Sequence, residues 1–334
     1  MNWTRGHTIG RGSSATVSAA TSPHSGNVFA VKSTELSQSQ FLQREQKILS
    51  TLVSPHVVEY IGYDITKEKD KLVYNLHMEY VPGGTLSDAI RRHGGGGGGR
   101  LDEAVIGNYT REILKGLEYI HSIGVAHCDV KSQNILVGES GAKLADFGCA
   151  KWLNPREDKA APIGGTPMFM APEVARGEEQ GLSGDIWALG CTVIEMATGG
   201  RSPWTRVADP VSVLYRIGFS GEIPEFPDFL SSQAKDFLGK CLKRDPKERW
   251  TAKQLLNHTF LGESNSHTKQ FVGFNSDSPT SILDHGVWNT VEESETLDSD
   301  SPAKRIGGLL LCSGVANWRW DENWITIRSN NNEH

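Results

Sequence analysis

Two short motifs at a fixed separation constrain this chain more than any other feature of its sequence. Residues 127–134 read His-Cys-Asp-Val-Lys-Ser-Gln-Asn, and the triplet Asp-Phe-Gly at 146–148 begins twelve residues after Asn134. Transfer of a phosphoryl group needs a carboxylate that accepts a hydroxyl proton, an amide oxygen for one Mg²⁺ and a second carboxylate for the metal ions that bridge the phosphates. Asp129, Asn134 and Asp146 supply these groups in that order. Ordinary turns seldom reproduce both motifs in register, so the pair predicts a phosphoryl-transfer site.

A glycine-rich stretch lies near the N-terminus, between short β-favouring runs. Residues 10–17 read Gly-Arg-Gly-Ser-Ser-Ala-Thr-Val, which is the pattern Gly-x-Gly-x-x-Gly-x-Val with alanine at the third glycine. Small side chains allow backbone N–H groups to close over phosphates, although a plain Gly/Ser turn of a hairpin would fit the stretch equally well. No Lys-Ser/Thr pair follows, which disfavours a P-loop, and the β-rich context disfavours a dinucleotide site.

Two charged residues near this stretch occupy positions that need an explanation. Lys32 ends the apolar run Phe-Ala-Val at 29–31, where it would also suit the solvated end of a strand. Apolar residues recur at helical spacing over residues 40–52, and Glu45 lies three or four positions from four of them, on the face predicted to be buried. A buried carboxylate needs a partner. An ion pair with Lys32, whose ammonium would hold the α- and β-phosphates of a nucleotide, explains both charges.

Composition sets the wider limits. The 334 residues, 37 % of them hydrophobic, suffice for one large two-lobed domain and a tail. The formal net charge of −6, without a sustained Lys/Arg cluster, indicates that nucleic acid is not a partner. No apolar run reaches about 18 residues, so we expect no membrane partner and a soluble protein of the cytoplasm, the nucleus or both. The five cysteines are widely spaced without a Cys-x-x-Cys pair, which predicts neither a disulfide framework nor a structural zinc site.

The composition changes near Leu261. Residues 263–334 are rich in Ser, Asp and Glu and have few apolar residues, which predicts a largely disordered tail. The end of the tail carries Trp318, Trp320 and Trp324, which fit docking back on the domain or a partner site.

These motifs resemble those of eukaryotic protein kinases over residues 3–262, about four fifths of the chain. Further signatures are Met-Phe-Met-Ala-Pro-Glu at 168–173, Asp-Ile-Trp-Ala-Leu-Gly at 185–190, and Arg249 after an Asp-Pro pair. The resemblance implies an α+β bilobal fold, with a small β-rich N-lobe containing one key helix at about 3–80 and a larger helical C-lobe at about 81–262. It also implies a buried ion pair between Glu173 and Arg249, and an Asp185 that holds the catalytic loop backbone.

The resemblance implies ATP and Mg²⁺ as cofactors and gives each matching residue a role. Asp129 would be the catalytic base, and Lys131 would neutralise the transferring phosphoryl group. Lys32 and Glu45 would position the phosphates, while Asn134 and Asp146 would hold Mg²⁺. The ATP-binding set comprises Ile9, Gly10, Gly12, Ala15, Val17, Ala30, Lys32, Met78, Glu79, Val81 and Leu136, with Met78 as gatekeeper and the backbones of Glu79 and Val81 as hinge contacts.

One departure from the family pattern concerns the activation segment, the stretch from Asp146 to Glu173. Cys128 stands where most regulated kinases have an arginine that meets a phosphate on this segment. Residues 149–165 contain no Ser, Thr or Tyr, so both the phosphate and its receptor are missing. We therefore expect activity without phosphorylation of this segment. A redox-sensitive thiol at Cys128 is the alternative explanation of this residue.

Short sequence segments indicate the branch of the family. Lys131 and the Gly-Thr pair before Pro167 resemble serine/threonine kinases. Residues 3–12, 127–131 and 146–151 together are similar to the MEKK-like mitogen-activated protein (MAP) kinase kinase kinases of plants with a short C-terminal tail. That similarity implies a MAP kinase kinase as substrate, phosphorylated in its activation loop, and a role in stress or hormone signalling that includes abscisic acid.

Two Ser-Pro pairs in the tail, at Ser278 and Ser301, fit phosphorylation by a downstream MAP kinase, although such pairs are common in disordered segments. A scaffold or pseudokinase-type adaptor that acts by binding is the competing interpretation of the whole chain. The intact set of Lys32, Asp129, Asn134 and Asp146 favours an enzyme. The segment at 168–173 resembles peptide-binding architecture and disfavours a small-molecule kinase.

Overall fold

The N-terminal part of the chain forms an antiparallel sheet because short β-favouring runs are separated by turn residues. The computed structural model describes residues 2–12, 14–93, 100–139, 141–153, 163–205 and 209–262. The sheet has five strands in the order β1-β2-β3-β5-β4. The strands are β1 (Thr4–Arg11), β2 (Thr16–Thr21), β3 (Val28–Glu35), β4 (Tyr60–Glu68) and β5 (Lys71–Glu79). The turn between β1 and β2 carries the glycine-rich stretch, and Gly12 N donates to Ala15 O across it at 2.9 Å.

One helix accompanies this sheet. Helix α1 (Gln40–Leu49) buries Leu42, Glu45, Ile48 and Leu49, which confirms the carboxylate on its inner face. The helical spacing extends to Leu52, but the helix ends at Leu49. Thr51 N and Leu52 N instead bond to the carbonyls of Ile48 and Leu49, three residues back. Bonds to the residue three positions back, rather than four, tighten the last turn and mark the end of the helix.

The C-terminal part is mainly helical. Its helices are α2 (Leu86–His93), α3 (Glu103–Ser122), α4 (Pro172–Ala175), α5 (Leu182–Ala197), α6 (Pro210–Phe219), α7 (Ser232–Cys241) and α8 (Ala252–Leu255). Two small ribbons pair β6 (Val125–Ala126) with β9 (Lys151–Trp152), and β7 (Ile135–Gly138) with β8 (Gly141–Leu144). Helix α5 is apolar nearly all round and lies in the core, as expected for a buried helix. No helix among these described residues is long and apolar enough to cross a membrane.

Helix α3 begins directly after Asp102, but the side chain of this residue makes no capping hydrogen bond. The carboxylate is exposed and remains in water, where its charge still suits the positive end of the helix dipole.

A β-rich lobe with one helix and a larger helical lobe confirm the α+β bilobal fold. The tail predicted for residues 263–334 lies outside the described residues. Within the larger lobe, the buried pair of Arg249 and Glu173 forms two parallel hydrogen bonds, each of 2.6 Å. Arg249 also donates to three backbone carbonyls, so hydrogen bonds to the guanidinium offset the cost of burying its charge. The pair joins α4 to the loop before α8.

Candidate active site

The loop after β6 brings the residues of the first motif together. Asn134, in the 3₁₀ turn Ser132–Asn134, donates from Nδ2 to the Asp129 carbonyl at 2.8 Å and to Asp129 Oδ2 at 2.9 Å. The hydroxyl of Thr166 donates to Asp129 Oδ1 at 2.8 Å and accepts from Lys131 Nζ at 2.5 Å. Lys131 Nζ also lies 3.0 Å from Asp129 Oδ2. The Asp129 carboxylate is therefore held in one orientation by three side chains.

A second cluster joins the two lobes. Lys32 Nζ donates to Glu45 Oε2 at 2.7 Å and to Asp146 Oδ1 at 2.9 Å. Burial alone would lower the pKa of Lys32, but the carboxylates of Asp146 and Glu45 outweigh it and raise that pKa above its usual value. Burial raises the pKa of Glu45, against the opposing effect of Lys32. Burial would also raise the pKa of Asp146, but Lys32 more than offsets it and lowers that pKa. The ammonium thus stays charged between two carboxylates.

The residues predicted to hold Mg²⁺ fit that ion. Both amide hydrogens of Asn134 are used on Asp129, which leaves its buried Oδ1 without a hydrogen-bond partner among the described residues. Asp146 has left-handed backbone, φ 58° and ψ 77°, and its Oδ1 also accepts from Gly148 N at 3.2 Å. A neutral amide oxygen and a carboxylate are the hard oxygen ligands that Mg²⁺ prefers, together with phosphate oxygens and water. The unpartnered buried oxygen of Asn134 is therefore free to act as a ligand for such a cation.

A cleft between the lobes collects part of the predicted ATP-binding set. Its lining includes four residues of that set, Gly12, Ala15, Val17 and Lys32. It also includes three other predicted site residues, Glu45, Asp129 and Asp146. Strand pairing explains the grouping, because Val17 on β2 pairs with Lys32 on β3. The lining also includes Thr34, Gln38, Phe41 and Leu42, which the sequence analysis missed. These residues belong to β3, the following 3₁₀ turn and α1, and no motif marks them.

The other predicted ATP-binding residues lie outside the lining of this cleft: Ile9, Gly10, Ala30, Met78, Glu79, Val81 and Leu136. Met78 and Ala30 are paired across β5 and β3 and are buried. Glu79 N donates to the Glu59 carbonyl at 2.9 Å, so this N–H is not available to a ligand. The Glu79 carboxylate bonds Lys143 at 2.6 and 2.7 Å. The hinge contacts of Glu79 and Val81 remain predictions.

Helix α5 holds the catalytic loop, residues 127–134, in place through Asp185. Asp185 accepts from the backbone N–H groups of His127 and Cys128 at 2.8 Å each, and from His121 Nε2 at 2.9 Å. Cys128 has φ of +65°, a conformation that residues other than glycine rarely adopt. Desolvation, followed by the nearby Asp185 carboxylate, raises the pKa of the Cys128 thiol well above its usual value. Because the thiolate is the reactive form, this environment argues against the redox-sensitive alternative.

A further buried carboxyl group supports the same loop. Ser132 donates to Glu195 Oε1 on α5 at 2.8 Å, and Glu195 Oε2 has no partner among the described residues. Burial raises the pKa of Glu195 from 4.5 to about 7, although hydrogen bonds from Ser132 oppose the shift. Glu195 on α5 is thus a buried titratable group beside the loop that the sequence analysis did not single out.

Replacing Glu195 by Gln should stabilise the protein most at alkaline pH. A carboxyl group with a raised pKa favours the folded state while it is protonated, and this contribution is lost as the pH rises through the folded-state pKa of about 7. We therefore expect the melting temperature of Glu195→Gln minus that of wild type to be about 2–4 °C higher near pH 8 than near pH 5.5. Thermal unfolding followed by circular dichroism measures this. Exposed Glu225→Gln is the control, and a difference that does not change with pH would contradict the prediction.

The fold and this site define a protein kinase. The family description "Protein kinase domain" matches residues 3–261, and the chain belongs to that family. It is 54 % identical to mitogen-activated protein kinase kinase kinase 18 of Arabidopsis thaliana, over 99 % of this chain and 100 % of that one. Identity is 51 % with mitogen-activated protein kinase kinase kinase 17 and 38 % with number 20 of the same plant, each over 98 % of this chain. The chain is therefore a serine/threonine kinase of the plant MEKK-like group, as the motifs indicated.

Proposed function

We propose that this kinase transfers the γ-phosphoryl group of ATP to serine or threonine in the activation loop of a MAP kinase kinase. The observation that carries the proposal is the orientation of the Asp129 carboxylate by Asn134, Lys131 and Thr166. Asp129 in turn lines the same cleft as Lys32 and Asp146. The names of the three Arabidopsis relatives support the place of the enzyme above a MAP kinase kinase. An adaptor that acts only by binding would not need these side chains to be oriented.

The chemistry follows from the contacts. The substrate hydroxyl oxygen forms a bond to the γ-phosphorus while the bond from that phosphorus to the β-phosphate oxygen breaks, and ADP leaves. Asp129 accepts the hydroxyl proton, since Asn134 and Thr166 hold its carboxylate in place. Lys131 supplies positive charge beside the transferring group, and Lys32 holds the phosphates of ATP. Mg²⁺, held by Asn134 and Asp146, would neutralise charge on the phosphates. Catalysis is then mainly alignment and charge neutralisation.

The protein should be active without a phosphate on its activation segment, because residues 149–165 offer no acceptor. We expect phosphatase-treated protein from bacteria to phosphorylate a kinase-inactive plant MAP kinase kinase in the presence of Mg-ATP. Radiolabel transfer measures this, with Asp146→Asn as the blank. Dependence of turnover on a phosphate at Thr166, detected by mass spectrometry, would overturn the expectation. This outcome would also conflict with the contacts of Thr166, whose hydroxyl already bonds Asp129 and Lys131.

We further propose that a downstream MAP kinase phosphorylates the tail at Ser278 and Ser301. Both serines precede proline, which is the pattern such kinases read. A Ser278→Ala, Ser301→Ala double mutant should lose the slower bands on a phosphate-affinity gel after the cascade is activated. An unchanged band pattern would remove this proposal.

The similarity to the plant MEKK-like MAP kinase kinase kinases leads us to propose a role in stress or hormone signalling, including abscisic acid signalling. We propose that the protein acts in the cytoplasm, the nucleus or both. Plants lacking the gene should then show weaker MAP kinase activation after abscisic acid treatment. A fluorescent fusion would locate the protein. Normal activation in such plants would contradict the hormone role.

A further inference from the structure

The side chain of Gln180 joins the activation segment to the catalytic loop. Gln180 lies in the loop between α4 and α5 and is only 5 % exposed. Its Oε1 accepts from Gly164 N at 3.2 Å, and its Nε2 donates to Gly164 O at 2.8 Å. The same Nε2 donates its second hydrogen to Cys128 O at 3.3 Å. The carboxamide therefore pairs both backbone groups of Gly164 and still reaches the catalytic loop.

These bonds complete the support of a strained residue. Cys128, with φ of +65°, is held at its N–H by Asp185 and at its carbonyl by Gln180. Such backbone persists only where the surroundings over-determine it. Asp129 is the next residue, so any relaxation of Cys128 would move the proposed catalytic base.

The activation segment must pass very close to the catalytic loop at this point. A Cβ atom added to Gly165, which has φ of +118°, would lie 2.5 Å from the Cys128 carbonyl oxygen. Gln180 bonds the residue just before this contact, and Thr166 is the residue just after it. Thr166 then bonds Asp129 and Lys131. Along the chain, Gly164 is anchored by Gln180, Gly165 makes the close approach to Cys128, and Thr166 orients the Asp129 carboxylate.

We propose that Gln180 is a positioning residue whose neutral carboxamide fixes the activation segment against the catalytic loop, and so places Thr166 against Asp129 and Lys131 without a phosphate. This inference rests on the proposed phosphoryl-transfer function. The charge balance favours it, because the carboxamide uses two donors and one acceptor on backbone groups that have no charge. A phosphate would need a cationic partner here, and Cys128 does not provide one.

The first test replaces Gln180 by Leu, which keeps the size but removes all three hydrogen bonds. We expect kcat to fall about tenfold, both for transfer to the MAP kinase kinase and for hydrolysis of Mg-ATP by the kinase alone. The KM for ATP should stay within about twofold, because Gln180 is absent from the lining of the nucleotide cleft. Gln233→Leu on the exposed face of α7 is the matched control. A Gln180→Leu protein with the kcat of wild type would overturn the proposal, whether or not its melting temperature changes.

The second test uses charge, and it separates positioning from simple packing. In Gln180→Glu, the ionised carboxylate would face the carbonyl oxygens of Gly164 and Cys128 and would be repelled. The protonated carboxyl could donate to one of them. The ratio of mutant to wild-type kcat should therefore rise severalfold as the pH falls from about 8 to about 6.

The other titratable groups around this position are the thiols of Cys128 and Cys149, the carboxylates of Asp129 and Asp185, and the ammonium of Lys151. They are common to both proteins and cancel in the ratio. Gln233→Glu should give a ratio that does not change with pH. A flat ratio for Gln180→Glu would overturn the inference. Loss of protein transfer in wild type with ATP hydrolysis retained would instead refute the proposed substrate, and the hydrolysis assay would still test Gln180.

Discussion

Replacing Asp129 by Asn should lower kcat for phosphoryl transfer by about 10²- to 10⁴-fold. The amide has nearly the same shape as the carboxylate, but it cannot accept the proton of the substrate hydroxyl. In the wild type, the Thr166 hydroxyl donates to one carboxylate oxygen of Asp129, and the Lys131 ammonium lies within hydrogen-bond distance of the other. In the mutant, the new NH₂ group would face one of these two donors. Steady-state transfer to a kinase-inactive MAP kinase kinase measures the loss.

The control for this change is Asp70→Asn, since the Asp70 side chain is 98 % exposed. This control should retain the wild-type rate. Nucleotide affinity, measured with a fluorescent ADP, should change little in Asp129→Asn, because the base acts on the substrate hydroxyl and not on the phosphates of ADP. A mutant that keeps more than about a tenth of wild-type kcat would show that Asp129 is not the base.

Replacing Arg249 by Met should lower the free energy of unfolding by about 3–5 kcal/mol. Arg249 and Glu173 are both buried, so removing the guanidinium leaves a carboxylate without its counter-charge. Three backbone carbonyls also lose their donor. Urea unfolding of the full chain, followed by tryptophan fluorescence, measures the change.

A double-mutant cycle with Glu173→Leu distinguishes the pair from its surroundings. The double mutant should be destabilised by less than the sum of the two single changes, because no unpaired buried charge then remains. Lys67→Met is the control, since Lys67 is 69 % exposed in its pair with Asp70 and should change stability by at most about 1 kcal/mol. Additive losses in the cycle would contradict a direct interaction.

The sequence determined the chemical groups of the site. Asp129, Asn134 and Asp146 lie on short loops whose spacing along the chain sets their mutual positions, so the motif is informative without tertiary structure. Glu45 could be placed on a buried face because helical periodicity is a local property. The ion pair of Glu45 with Lys32 followed, since a buried carboxylate needs a cation.

Only the tertiary structure decided contacts between segments that carry no shared pattern. Gln180 bonds Gly164 and Cys128, which are 16 and 52 residues away in sequence. No motif in the sequence around Gln180 predicts these bonds. Lys32 meets Asp146 across 114 residues. Local spacing specifies loops and helix faces, whereas a neutral side chain acquires a function only when packing brings distant backbone groups within hydrogen-bond distance of it.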